Sequence, residues 1–444
     1  MLDLKAASIA ANRFGFGARP GELDAIAKDP RGWLTRQLAG EAPQAADAPI
    51  WPAQLAGFLQ AQREKKADID AAKMMRKALQ QEFRGAAAKR TIDAANSATP
   101  FRERLVQFWS NHFTVSIQRA VVVPAAIGFE NEAIRPNILG NFRDLLKAVA
   151  AHPAMLLYLD NAGSVGPNSA GGLKNKRGLN ENLAREMMEL HTVGVDGGYS
   201  QTDVTELARI LTGWSIAGEH EPGPGRFRYR PMVHEPGSKT VMGKTYPEAG
   251  RDEAVAVMND LAARPATACH IATKLARHFI ADDPPKPAVD ALARTYLETD
   301  GDLHAVSLTL IGLPQIWAEP LPKVKTPNDL VISACRSLGI ADVQAGEMLL
   351  MGLRQMDQAP FAAPSPAGWP DTADSWISPE AMMTRVEWAM AVGQKLGSQA
   401  DARDVAKATI QPVASQTTLF HIDHAPSAAE ALALLIASPE FQRR

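Results

Sequence analysis

The chain has 444 residues, 46% hydrophobic and 22% charged, proportions of a packed soluble protein rather than a disordered or fibrous one. Its 47 basic and 49 acidic residues leave a net charge of −2, so no overall field draws it to nucleic acid or to an anionic membrane. Two cysteines exclude a disulfide framework; Cys269 and Cys335 lie in apolar, helix-like segments and read as small buried thiols in a reducing compartment.

No apolar run approaches the ~20 residues needed to span a bilayer. The N-terminal stretch MLDLKAASIAANRFGFG has neither a basic n-region nor a long apolar h-region. The cytoplasm is therefore the expected location, with the periplasm the alternative if an export signal once preceded these residues.

In chain order, residues 1–98 read as an N-terminal helical region. A short helix, a Gly/Pro turn (Gly15, Gly17, Pro20, Gly21) and a helix bearing Trp33, Leu34 and Leu38 come first. A Pro/Ala-rich connection over Ala42–Pro52 and long charged helices from Leu55 to Asn96 follow. Residues 99–215 read as a central helical core. Thr99-Pro100 is a helix start, and His152-Pro153 breaks a later helix because the residue before proline avoids the helical region. Residues 160–179, with five glycines and no apolar periodicity, read as a long loop, and helices over Asn180–Thr192 and Thr202–Trp214 follow it. Residues 216–250 hold the β-like stretch. Phe227, Tyr229, Val233, Val241 and Met242 flank the turn signal Glu235-Pro236-Gly237, which predicts one small hairpin and a lid over the neighbouring site. Residues 251–444 return to helices, with Ala359–Asp374 irregular. The expected fold is mainly α, a multi-helix array with one small β-hairpin.

The chemistry gathers at the loop–helix junction. At 100° per residue, Glu181, Asn182, Arg185, Glu186 and Glu189 share one arc, opposite Leu183, Met187 and Leu190. A charged face of this kind is ordinarily solvated, with Glu181–Arg185 and Arg185–Glu189 as i,i+4 pairs. Three features point beyond that. The preceding loop ends in Lys174, Lys176 and Arg177, and with Asn180 and Asn182 these cations surround free helix N–H groups, a seat for an anion. The last turn brings Glu186, Glu189 and His191 close together, although His191 falls toward the apolar side. Carboxylates with an imidazole can hold a divalent metal or act as acid and base, and His112 could join them from another helix. His152, Asp160 and His234 are further candidates, whereas His421 and His424 read as surface residues. No P-loop, Gly-x-Ser-x-Gly elbow, Cys-x-x-Cys or dinucleotide fingerprint is present, which argues against an ordinary serine hydrolase or nicotinamide enzyme.

Several strings together carry a family resemblance: NRFGFGARPGEL, RERLVQFWSNHFTVS, NFRDLLKAVAAHPAMLLYLDN, GLNENLARE followed by MMELHTVGVDGGYSQTDVTELARILTGW, HEPGSKTVMGKTY, and SPAGWPDTADSWISPEAMMTRVEW. The chain resembles, over nearly its whole length, the bacterial family of domain of unknown function 1800. The resemblance marks Asn111, His112, Asp160, Asn161, Asn180, Glu181, Asn182, Arg185, Glu186, Glu189, His191, Asp203, His234 and Lys239 as motif positions without assigning them roles. It also implies a genomically neighbouring, typically exported, sulfatase-like protein as a partner, and export signals in many members.

Two functions follow as expectations. In the first, the protein is an enzyme acting on an anionic substrate. Glu186, Glu189, His191 and Arg185 do acid/base work, or Glu186, Glu189, His191 and His112 hold a divalent metal, while Lys174, Lys176, Arg177, Asn180 and Asn182 bind the substrate. In the second, it is a non-catalytic binding or maturation partner of the exported protein, and the charged cluster is a structural salt-bridge network.

Overall fold

The computed structural model describes residues 2–40, 51–63, 69–175, 178–318, 321–342 and 346–444. Helices dominate it, and the expectation of a mainly α array holds. Local chemistry sets many helix starts. Pro100 opens Pro100–His112 and Pro153 opens Pro153–Tyr158, each where a missing N–H costs nothing. Ser200 and Asp203 form a reciprocal capping box at the head of Gln201–Leu211. The charged stretch after residue 50 resolves into two helices, Trp51–Arg63 and Ile69–Asn96. Most of the predicted connection at 42–52 lies outside the described residues.

Apolar packing gathers into two clusters. One joins Phe14, Phe101, Trp109 and Phe113 to Leu145, Leu183, Met187, Leu207, Ile271 and Phe279. The other joins Ala87, Ile92 and Ala95 of the long helix to Leu330, Cys335, Leu353, Trp388 and Leu435. Residues 251–444 contribute to both. A buried ionic network runs through this region: Asp329 accepts from Arg104 at 3.2 Å and forms an ion pair with Arg444 at 2.8 Å, and Arg444 reaches Asp371 at 3.2 Å. Carboxylate and guanidinium partners at this depth must neutralise one another, since an unpaired buried charge costs several kcal/mol, roughly 3–5 when one partner is removed.

Three expectations are corrected. The strands form two antiparallel pairs, Trp214–Ile216 with Phe227–Tyr229 and Lys239–Val241 with Lys244–Tyr246. The hairpin turns at Met242-Gly243, where φ is +47° and +80°, and not at Glu235-Pro236-Gly237. Positive φ at both central residues matches the right-handed twist of the strands. Glu235 is instead buried, and its carboxylate accepts the Asn168 backbone N–H at 2.9 Å and side-chain amide at 2.5 Å. The segment 160–179 is not an open loop. It carries a 3₁₀ turn at Asn161–Gly163 and a helix at Ala170–Asn175, and a Cβ on Gly172 would lie 2.1 Å from the Gly166 carbonyl. That glycine serves close packing rather than freedom. Cys269 is exposed, because it lies on the outer side of its helix; Cys335 is buried as expected, and burial pushes its thiol up to about 12.

Candidate functional site

The helix expected over Asn180–Thr192 is an α-turn, Asn182–Glu186, that widens into a π-helix, Met187–His191. The Thr192 hydroxyl donates to the Met187 carbonyl five residues back at 2.7 Å and secures the wide turn. This geometry turns Leu183, Ala184, Met187, Met188 and His191 into the core and leaves Arg185, Glu186 and Glu189 half-buried.

The two halves of the expected site are thereby parted. His191 and His112 are each 1% exposed, with ring centroids 6.2 Å apart. The neighbouring ring of His270 lies 6.1 Å from His112. These imidazoles close a helix end: His112 Nε2 donates to the His191 carbonyl at 3.2 Å, and His270 Nε2 donates to the Leu190 carbonyl at 2.9 Å. The last carbonyls of a helix lack internal partners, and ring N–H groups supply them. Burial, with Lys274 nearby, holds His191 at about 3 and His112 well below the usual imidazole value, so both rings are neutral near pH 7.

The carboxylates keep different company. Glu181 accepts from Arg185 (3.2 Å), Gln201 (2.9 Å) and Thr205 (2.7 Å), and Arg185 also donates to Gln201 at 2.8 Å. Arg185 is thus engaged with Glu181 and the helix Gln201–Leu211. Burial, and then the charge of the nearby Glu189, raises the pKa of Tyr199. Glu186 has no hydrogen-bond or ion-pair partner among the described residues; its burial and then the adjacent Glu189 raise its pKa, and Arg185 offsets this only in part. Its charge reaches Tyr158, whose hydroxyl pKa rises through burial and then this carboxylate.

Of the expected substrate groups, Asn180 accepts the Asn182 N–H through its side-chain oxygen at 2.9 Å and so spends one donor of the anticipated anion seat. Its own N–H goes to Ser164 at 3.0 Å. Lys174 is exposed, as is Asn182, while Lys176 and Arg177 lie outside the described residues. A cleft of about 620 Å³ opens beside the junction, between Leu59, Val121, Leu156 and Leu157 on its apolar side and Arg119, Asp160 and Asn180 on its polar side. Volumes of this size hold small-molecule ligands. Arg119 and Asp160 form a two-point ion pair on its polar side.

The proposed metal set does not fit. Glu186 and Glu189 stand on the solvent side of the helix, while His191 and His112 lie in its core with His112 committed to a carbonyl. Among the described residues no group of three or more His, Cys, Asp or Glu side chains is placed to hold a metal ion. The outlying candidates are architectural. His152 Nδ1 accepts the Ala154 N–H at 3.2 Å and its ring packs between Trp51 and Phe129. His234 and Lys239 converge on the buried Glu253 at 3.1 and 3.0 Å, so the hairpin region is fastened to the helix Arg251–Ala262 rather than hung as a free lid. Asn161 donates to the carbonyls of Leu211 and Trp214, both at 3.1 Å. Asp203 caps its helix and accepts the Met242 N–H of the hairpin turn at 2.5 Å.

Sequence reasoning missed a second polar site. The helix Pro265–Phe279 carries His270, Lys274 and His278 at i, i+4 and i+8, one basic stripe along its length. His278 Nδ1 lies 2.6 Å from Asp371, 93 residues away in sequence. The i, i+4, i+8 spacing was the available signal; the partner on a distant irregular segment had none. Asn111, a motif position, holds that segment in place: its side chain donates to the Trp369 carbonyl at 2.9 Å and accepts the Trp369 N–H at 2.7 Å. Gly368, at φ +83°, lets the backbone approach, since a Cβ there would lie 2.4 Å from the Asn111 carbonyl.

No helix among the described residues is long and apolar enough to cross a membrane. No curated protein and no solved structure matches the chain. A family model matches residues 9–443, which carry the capped π-helix, the half-buried carboxylates and the pinned Trp369 segment alike. The chain belongs to the family described as protein of unknown function, DUF1800.

Proposed function

We propose that this protein is an acid/base enzyme whose working group is the carboxyl of Glu186, acting on a polar, anionic substrate at the loop–helix junction, with the adjoining cleft as its approach. One observation carries the reading. The charged motif residues Glu181, Arg185, Asp203, His234 and Lys239 are engaged in the fold's own hydrogen bonds and ion pairs, whereas Glu186 has no such partner among the described residues and holds its proton more tightly than an ordinary glutamate. A carboxyl shifted this way by burial and a second carboxylate is suited to deliver and recover a proton. Glu189 supplies the neighbouring negative charge, and Asn180 and Arg119 line the cleft that receives the substrate.

The test has two readouts. Carbon-13 titration of Glu186 gives a raised pKa that falls in Glu189→Gln. A mass-spectrometric screen of small phosphate, sulfate and carboxylate esters finds turnover with wild type and none with Glu186→Gln of unchanged melting temperature. An ordinary titration of Glu186, or equal turnover by the variant, ends the proposal. The alternative is a non-catalytic binding or maturation partner of a neighbouring exported sulfatase-like protein. It is favoured by the Arg185–Glu181–Gln201–Thr205 network, which ties two helices together; a large loss of melting temperature in Glu181→Ala, with no substrate found, supports it.

A further inference from the structure

The helix Pro265–Phe279 presents His270, Lys274 and Arg277 along one line: at about 100° per residue the three fall within an arc of about 60°. All three are partly exposed. His270 gives its Nε2 proton to the Leu190 carbonyl, and Arg277 Nε donates to the Asp282 carbonyl at 3.0 Å. What is left over is His270 Nδ1, the terminal nitrogens of Arg277 and the whole Lys274 amine, which have no hydrogen-bond or ion-pair partner among the described residues. The unpaired nitrogens of the neighbouring rings, His112 Nδ1 and His191 Nε2, are sealed from water; these three groups are not, so each offers surface that solvent touches.

Several elements face the amine. His270 and Arg277 come from its own helix, His112 from Pro100–His112, His191 from the π-helix Met187–His191 and Asp371 from the irregular segment. Burial holds the amine at about 8; Asp371 opposes this and Arg277 adds to it. Asp371 is already committed to His278, Lys323 and Arg444, which leaves Lys274 without a fixed counter-ion. Near neutrality such an amine bares its lone pair far more often than a solvated lysine does, and a bare lysine amine is a nucleophile toward carbonyl carbon. Arg277, about one turn further along the same face, has the planar set of N–H groups that suits a carboxylate.

We infer that Lys274 forms an imine with a small 2-oxo acid whose carboxylate pairs with the Arg277 guanidinium. Lys274 Nζ attacks the ketone carbon, and a proton passes from nitrogen to the former carbonyl oxygen by way of His270 Nδ1 or water. The carbinolamine then expels that oxygen as water and leaves a C=N bond. One water is released for each imine formed, and no oxidant or reductant is consumed. The site is separate from Glu186 and from the cleft beside the loop–helix junction, whose walls do not include Lys274.

Pyruvate is the probe, with cyanoborohydride to reduce the C=N bond to a stable amine, on the full chain near pH 7. Peptide mapping by mass spectrometry then gives the rate at each lysine. Lys274 is modified about tenfold or more faster than the exposed Lys28 and Lys407, because a larger share of its amine is unprotonated. With acetone, which lacks the carboxylate, that preference is smaller by about threefold, the worth of an ion pair between partly exposed groups. Arg277→Gln lowers the preference for pyruvate to the acetone value and leaves the acetone value unchanged. If that variant does not fold, the comparison of pyruvate with acetone on the wild type decides by itself. Modification of Lys274 no faster than of Lys28 and Lys407, an equal preference with both ketones, or an undiminished pyruvate preference in folded Arg277→Gln each overturns the inference.

Discussion

Lowering the pH from 7.5 to 5.5 should cost this protein several kcal/mol of stability through histidines alone. Burial holds His152 and His191 at about 3, and His278, despite Asp371, at about 4. In the unfolded chain each returns to about 6.5. A group with a depressed folded pKa binds its proton more readily when unfolded, so its contribution is complete above the unfolded value and is lost as the pH falls below 6.5 toward the folded value. Over this interval each ring costs about 1.4 kcal/mol, and the three together about 4 kcal/mol, against a typical total of roughly 5–15. Protonating His152 also removes the acceptor that caps Ala154. Lys325, which burial holds at about 7, acts in the same direction and adds less than about 1 kcal/mol. Glu186 has the opposite sign, since its folded pKa is raised; its stabilisation develops only as the pH falls toward that value. The paired carboxylates Asp329, Asp371 and Glu130 have lowered values and titrate below this window. Urea unfolding at the two pH values should show the midpoint falling by on the order of 1 M. The double variant His152→Asn/His191→Gln should lose about half of the histidine pH dependence, because His112, also held well below the usual imidazole value, acts with His278 in the same direction. Equal wild-type midpoints at pH 7.5 and 5.5, or an undiminished pH effect in the double variant, would refute the reasoning.

Two further perturbations probe the frame around the sites. Asn111→Ala removes both hydrogen bonds to Trp369 and should free the irregular segment, at a cost of about 1–3 kcal/mol, seen as faster proteolysis within 359–371 than elsewhere; uniform protection would contradict this role. Glu253→Ala strands Lys239 and His234 in the interior and should destabilise by roughly 3–5 kcal/mol, measured by thermal unfolding. Lys239→Met added to Glu253→Ala should recover part of that loss, and an absence of recovery would show that the pair is not the reason.

Much of the architecture was legible in the residues. Helix starts are written locally, in Pro100, Pro153 and the Ser200/Asp203 capping box, and the apolar period picks out the helices that follow. The amphipathic wheel separated Glu186 and Glu189 from the core side, and placed His191 toward the apolar face where the structure buries it. Local pattern misplaced the hairpin turn, because a Pro-Gly signal and a Met-Gly pair differ only in the φ values that the surrounding strands impose. It also read five glycines as freedom where at least Gly172 reports contact.

Convergence is what the sequence could not supply. Whether His112 meets Glu186 depends on how two helices pack, and the π-turn at Met187–His191 sends imidazoles inward while carboxylates remain outside. His278 and Asp371 lie 93 residues apart and come within 2.6 Å through packing: Asn111 fixes Trp369 from another helix, and Lys323 and Arg444 hold Asp371. Periodicity is a property of one segment, whereas a site made by side chains from several segments belongs to their packing, and only the folded chain decides it.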